Sequence, residues 1–123
     1  MIELNTEQYK VANLIKDRFD EDFDILINLE NEEHYLGNMF PDIILLNKVT
    51  KTPLFVIEIR KNGRISECMK QWVNSNIPAT LYIVVPQKEL SNAKSIATVI
   101  GLKSRFGWYS IDNEGNISDL IFE

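Results

Sequence analysis

The sequence of 123 residues is poor in the residues that build stapled, redox or zinc-held proteins, with one cysteine and one histidine. A lone Cys68 can form no internal disulfide, and without a CxxC pair or Cys/His companions it supports neither structural zinc nor dithiol chemistry. No apolar run approaches the roughly 20 residues of a membrane span. Met1 to Asn5 carry neither the basic n-region nor the apolar core of a secretory leader, so the expected location is cytoplasmic, with no membrane partner. Five glycines and four prolines are too few for a fibrous or low-complexity chain. Positive charge is scarce too. Thirteen Lys and Arg stand against eighteen Asp and Glu, a net charge of −5, so phosphate backbones repel the chain as a whole. The charges are uneven, however: Arg60, Lys61, Arg64 and Lys70 lie close together, while acids crowd Asp17 to Glu33.

What is present is ordinary globular material, 45% hydrophobic and 25% charged, in a length suited to one domain with its own core. Thr6 to Phe19 places Tyr9, Ala12, Leu14, Ile15 and Phe19 on one stripe, which predicts a helix with Thr6 as N-cap. Phe23 to Leu29 alternates as a half-buried strand, and Glu30 to Met39 reads as a loop. Asp42 to Asn47 and Leu54 to Ile59 are short apolar β-branched runs around a turn, predicting a hairpin of interior strands. After Asn62-Gly63, the spacing of Ile65, Cys68, Met69, Trp72 and Val73 predicts an amphipathic helix stopped by Pro78. Thr80 to Val85 is a further strand. A third helix runs through Ala93 and Ala97 to Ile100 with Gly101 as C-cap, and Phe106 to Ile111 with Ile117 to Phe122 make a closing hairpin. The order αβββαβαββ predicts an α/β fold: a mixed sheet of four to six strands, flanked by helices, in one domain spanning 1–123.

Within the first hairpin a turn centred on Thr50 sets Asp42 opposite Glu58, Ile44 opposite Val56 and Leu46 opposite Leu54. Directly opposed residues have Cβ atoms about 4.5–5.5 Å apart. Two like charges that close in an apolar sheet need an offset, and a hard divalent cation such as Mg²⁺ supplies one. Arg60 shares the strand face of Glu58 and points at the same place. A competing reading makes both acids solvated strand-end charges, and a slip of one residue would send Asp42 to the opposite face.

The segments Phe40-Pro41-Asp42-Ile43-Ile44-Leu45-Leu46 and Phe55-Val56-Ile57-Glu58-Ile59-Arg60-Lys61 resemble the PD…(D/E)xK signature of the restriction-endonuclease-like nuclease superfamily. The order of elements from about Thr6 to Val85 is similar to that family's αβββαβ core, and residues 87–123 then form an added helix and hairpin. The resemblance implies metal-dependent hydrolysis of DNA phosphodiester bonds. Asp42 and Glu58 would ligate Mg²⁺ or Mn²⁺, the Ile59 carbonyl would add a backbone ligand, and Gln71 on the following helix would approach the site. The chain departs from the family at one position: the family lysine is Arg60 here. A guanidinium cannot exchange protons near neutrality, although its fork can hold a phosphate oxygen. Two functional expectations follow, a nuclease needing a homodimer or partner subunit to grip DNA, and a nuclease-like fold without catalysis that serves as a protein-interaction or regulatory module. An unrelated α/β domain with surface acids is a third reading. Elsewhere, His34 reads as a surface loop residue, Cys68 and Trp72 as core, and Phe106, Trp108 and Tyr109 as packing. Glu7 reads as a helix-start acid that could alternatively approach a metal.

Overall fold

A computed structural model describes residues 6–29 and 32–123. The proposed cap geometry at the start of the first helix therefore lies at the edge of the described residues, and Thr6 is itself the first helical residue described.

The elements follow in the predicted order: α1 (Thr6–Phe19), β1 (Phe23–Ile27), β2 (Ile43–Asn47), β3 (Pro53–Ile59), α2 (Arg64–Trp72), β4 (Thr80–Pro86), α3 (Leu90–Ile100), β5 (Arg105–Ile111) and β6 (Ile117–Phe122). A single 3₁₀ turn at Gln87–Glu89 leads into α3. Two boundaries are shorter than the sequence suggests. Strand β1 ends at Ile27 and β2 begins at Ile43; one further main-chain bond, from Asn28 N–H to the Asp42 carbonyl, continues that pair, while on the β3 side the Asp42 N–H donates to the Glu58 side chain.

All six strands join one sheet in sequence order, β1-β2-β3-β4-β5-β6. The first three are mutually antiparallel, β3-β4 and β4-β5 are parallel, and β5-β6 is antiparallel. Short turns join β2 to β3 and β5 to β6, a longer loop over 28–42 joins β1 to β2, and the two parallel pairs are each spanned by a helix, α2 and α3. The sheet is therefore mixed, as expected for this α/β class. Asn62 (φ +57°) makes the left-handed turn out of β3, and Gly101 (φ +77°) caps α3 in the same conformation, which glycine adopts without steric cost.

Alternation along the strands loads both faces of the sheet. On one face α1 supplies Val11, Ala12 and Ile15 to a core with Ile43, Leu45, Ile57, Ile59, Val84 and Tyr109. On the other, α2 and α3 supply Ile65, Cys68, Met69, Trp72, Ala93 and Ala97 over Ile44, Val56, Leu81, Ile83, Val85 and Phe106. Because side chains alternate faces in a strand, β2 and β3 are apolar on both sides, as a central strand requires. No helix among the described residues is long and apolar enough to cross a membrane.

The closing hairpin has one tight spot. An added Cβ at Gly107 would lie 3.0 Å from Phe122 Cδ1 and 3.1 Å from the Ile121 carbonyl oxygen. Phe122 is itself held edge-on by Phe19 and Tyr82, so it has little room to yield. Gly107→Ala is expected to destabilise the fold by about 1–3 kcal/mol, read as a lowered midpoint in urea unfolding with an unchanged slope.

Candidate functional site

The site forms where the β2–β3 ladder stops. Cα register pairs Ile43 with Ile57, Ile44 with Val56 and Leu45 with Phe55, the alignment expected from a turn about Thr50. Near that turn an irregularity sets Leu46 against Pro53 instead of Leu54. Beyond Ile43 and Ile57 the next residues are Asp42 and Glu58, and their side chains take over the pairing. Asp42 N–H donates to Glu58 Oε1 at 2.7 Å, and Ile59 N–H donates to Asp42 Oδ2 at 2.8 Å. Each carboxylate thus satisfies a main-chain donor of the other strand, which buried amides require. Both are buried, Asp42 at 7% and Glu58 at 2% relative exposure.

Arg60 completes the arrangement. Its Nη1 donates to Asp42 Oδ2 at 2.5 Å and to the Ile59 carbonyl at 2.9 Å, and its Nη2 donates to Glu58 Oε2 at 3.1 Å. A single guanidinium thereby touches both acids and the intervening carbonyl. Two further donors fix Glu58 Oε2: the Trp72 indole N–H at 3.1 Å and the Cys68 thiol at 3.3 Å. Gln8 Nε2 donates to Asp42 Oδ2 at 3.1 Å and to the Ile59 carbonyl at 3.2 Å.

Burial dominates the electrostatics. It pushes Glu58 up to about 7, with repulsion from Asp42 adding to it and Arg60 opposing it. Asp42 is raised as well, burial outweighing the attraction of Arg60. Burial would lower the arginine, yet Glu58 and Asp42 hold it above its ordinary value, so it is a permanent cation. Two acids against one guanidinium leave one formal negative charge inside the protein. Such a site has spare affinity for positive charge.

The oxygen donors suit a hard divalent cation in kind. Mg²⁺ commonly takes one or two carboxylates and completes its shell with water, and Asp42, Glu58 and the Ile59 carbonyl present oxygens of that kind around one guanidinium. No group of three or more His, Cys, Asp and Glu among the described residues is arranged to hold a metal ion, so the carbonyl is needed as the third protein donor.

The other residues singled out from the sequence fall elsewhere. Gln71 is exposed on α2, whereas Cys68 and Trp72 are the α2 residues that reach Glu58. Glu7 engages Tyr109, whose hydroxyl donates to Glu7 Oε2 at 2.5 Å, and Lys61, whose Nζ is 3.5 Å from Oε1. Lys61 thus turns away from the carboxylate pair, as alternation requires. Burial, followed by the bond to Glu7, pushes the Tyr109 hydroxyl up. His34 enters through its main chain, which bonds Asn28. Phe106 and Tyr109 are buried.

Three contributors escape sequence reading. Gln8 gives no signal beyond its place on the polar side of α1. Trp72 and Cys68 look like core and are core, yet their polar atoms face Glu58; a buried indole does carry a donor in need of an acceptor. Asn28 is the third. Its amide nitrogen donates to the carbonyls of His34 and Pro41, and its oxygen accepts from the main-chain N–H groups of Glu33 and His34. One side chain thereby ties the loop before Asp42 to the end of β1.

No protein-family model matches the chain, and no curated protein sequence matches it. Among solved structures, one described as the structure of Pyrococcus furiosus SfsA in complex with Ca²⁺ superposes with a TM-score of 0.39 at 12% identity. The superposition covers 95% of this chain but 59% of that one. A likeness this loose carries no argument about the chemistry here.

Two measurements test the hydrogen bonds around Glu58. Trp72→Phe keeps most of the packing but removes a donor from a buried charge, and should cost roughly 1.5–3 kcal/mol in urea unfolding. Cys68 is free, buried and pushed up in pKa, first by burial and then by Glu58. Native protein at pH 8 should resist alkylation by iodoacetamide, as judged by intact mass, while urea-unfolded protein reacts.

Proposed function

We propose that this chain is a nuclease-like domain of the PD-(D/E)xK type, hydrolysing phosphodiester bonds of DNA with a divalent cation, Mg²⁺ or Mn²⁺. The observation that carries the reading is the convergence of Asp42 Oδ2, Glu58 Oε2 and the Ile59 carbonyl on one positively charged group. Acids are almost never fully buried unless paired, and two such acids at one sheet end make a place suited to positive charge.

Asp42, Glu58 and the Ile59 carbonyl would hold the ion. When bound, it supplies Lewis acidity toward a phosphoryl oxygen and lowers the pKa of water. The protein's own groups do the rest. Gln8 and the Ile59 amide fix the rotamer of Asp42. The Asp42 amide, Cys68 and Trp72 fix that of Glu58. Such bonds hold ligand oxygens in place in the manner of metal-site supporting shells. Arg60 is the group suited to the phosphate, since its fork matches two phosphoryl oxygens and its charge offsets the negative charge that builds up during displacement. It cannot act as a general base. The net charge of −5 calls for a second copy or a partner subunit to supply the basic surface that a duplex needs.

A specific observation favours a second reading. Arg60 already bonds all three oxygens, so the pair can persist as an arginine-bridged cluster in a domain that binds another protein without catalysis. Metal-dependent melting separates the two. For the nuclease reading, Mn²⁺ at 100 times its Kd should stabilise the wild type by about 2.7 kcal/mol, seen as a raised Tm, and Asp42→Ala should abolish the rise. Cleavage of single-stranded, duplex or branched DNA should require Mn²⁺ and disappear in Glu58→Ala, with circular dichroism checking that each variant folds. A rise without cleavage supports the interaction module, and no rise at all removes the nuclease reading.

A further inference from the structure

We propose that Arg60 is a built-in, exchangeable occupant of the cation position: its guanidinium and a divalent ion compete for the same three oxygens, and the ion's entry releases the arginine toward substrate phosphate. The inference deepens the metal reading above and rests on it.

Geometry makes the competition direct. The atoms bonded by Arg60 are Asp42 Oδ2, the Ile59 carbonyl oxygen and Glu58 Oε2, at 2.5, 2.9 and 3.1 Å. A divalent ion held by the same oxygens would have to displace the guanidinium nitrogens that now bond them. Charge gives the same answer. A divalent ion in place of the arginine balances the two acids, whereas both cations together would leave the buried cluster positive and in mutual contact.

The arginine is also the member of the cluster that can leave. Its side chain is 22% exposed, against 10% for Asp42 and 3% for Glu58, and it follows the last residue of β3. The carboxylates keep their own supports without it: Gln8 and the Ile59 amide on Asp42, and the Asp42 amide, Cys68 and Trp72 on Glu58. Removing the guanidinium therefore leaves the oxygens in place. A fork that bridges two carboxylates is a stronger competitor than a lysine point charge. Metal binding is accordingly weak in the free protein and tightens when a phosphate group takes up the arginine, since the coupling between the two must be reciprocal.

Isothermal titration with MnCl₂ on the wild type and Arg60→Gln, alongside a Mg²⁺ titration of wild type followed by the Arg60 guanidinium N–H resonances, tests the exchange. The variant should bind Mn²⁺ at least tenfold more tightly, and Mg²⁺ at saturation should shift the Arg60 signals from bonded to solvent-exposed positions. Binding by the variant alone would overturn the exchange, because the ion then never enters the wild-type site. Affinities equal within twofold, or saturation of the wild type with unmoved Arg60 signals, would overturn the exchange and leave the metal reading standing. Absence of binding in both folded proteins would remove the metal reading and the exchange together. If Arg60→Gln fails to fold, the wild-type resonance titration decides alone.

Discussion

Two carboxylates forced together at the end of a ladder, inside a protein, dominate the behaviour of this molecule. Asp42 and Glu58 cannot both be ionised there without a compensating charge, and Arg60 provides it through a fork that reaches both. The surrounding residues follow from that need. Trp72, Cys68 and Gln8 turn polar atoms inward toward oxygens, where apolar side chains of similar size would otherwise complete the two cores. Buried ionic clusters of this kind are seldom a gain in stability over a well-packed apolar alternative.

The fold was legible in the sequence because the signals were local and strong. Nearly continuous apolar runs at Asp42 to Asn47 and Leu54 to Ile59 mark interior strands, and the helical spacing through Ile65, Cys68, Met69 and Trp72 states both the element and the face it buries. Joining the elements required little more, since close connections make antiparallel neighbours and a helix between strands makes parallel ones. The errors lie at ends. Strand β1 stops at Ile27 and not Leu29, its last cross-strand bond running from Asn28 N–H to the Asp42 carbonyl while the Asn28 side chain ties into the loop, and the Leu46–Pro53 irregularity arises where proline has no N–H to offer a ladder.

The candidate site was legible only in its main-chain skeleton. Opposed residues in a hairpin follow from register, so Asp42, Glu58 and Arg60 were found together. Residues that arrive from other elements were not. Family resemblance pointed to Gln71, which is exposed, while the glutamine that approaches Asp42 is Gln8, on a different helix. Which side chain of a helix reaches a strand end depends on the helix's rotation and tilt, and one sequence does not encode these in any readable period. The direction of a tryptophan's N–H within a core is equally silent.

The exchange of side-chain and main-chain bonds between Asp42 and Glu58 bears on how such a domain could change over evolutionary time. Each acid acts as a clasp for the opposite strand, accepting an amide that has no other ladder partner. A lineage that gave up chemistry would therefore still have reason to retain both residues, because losing either would leave an amide without its acceptor at the end of the β2–β3 ladder. Persistence of the acidic pair records the architecture, and the identity of the residue at position 60 is the better marker of what the pair is used for.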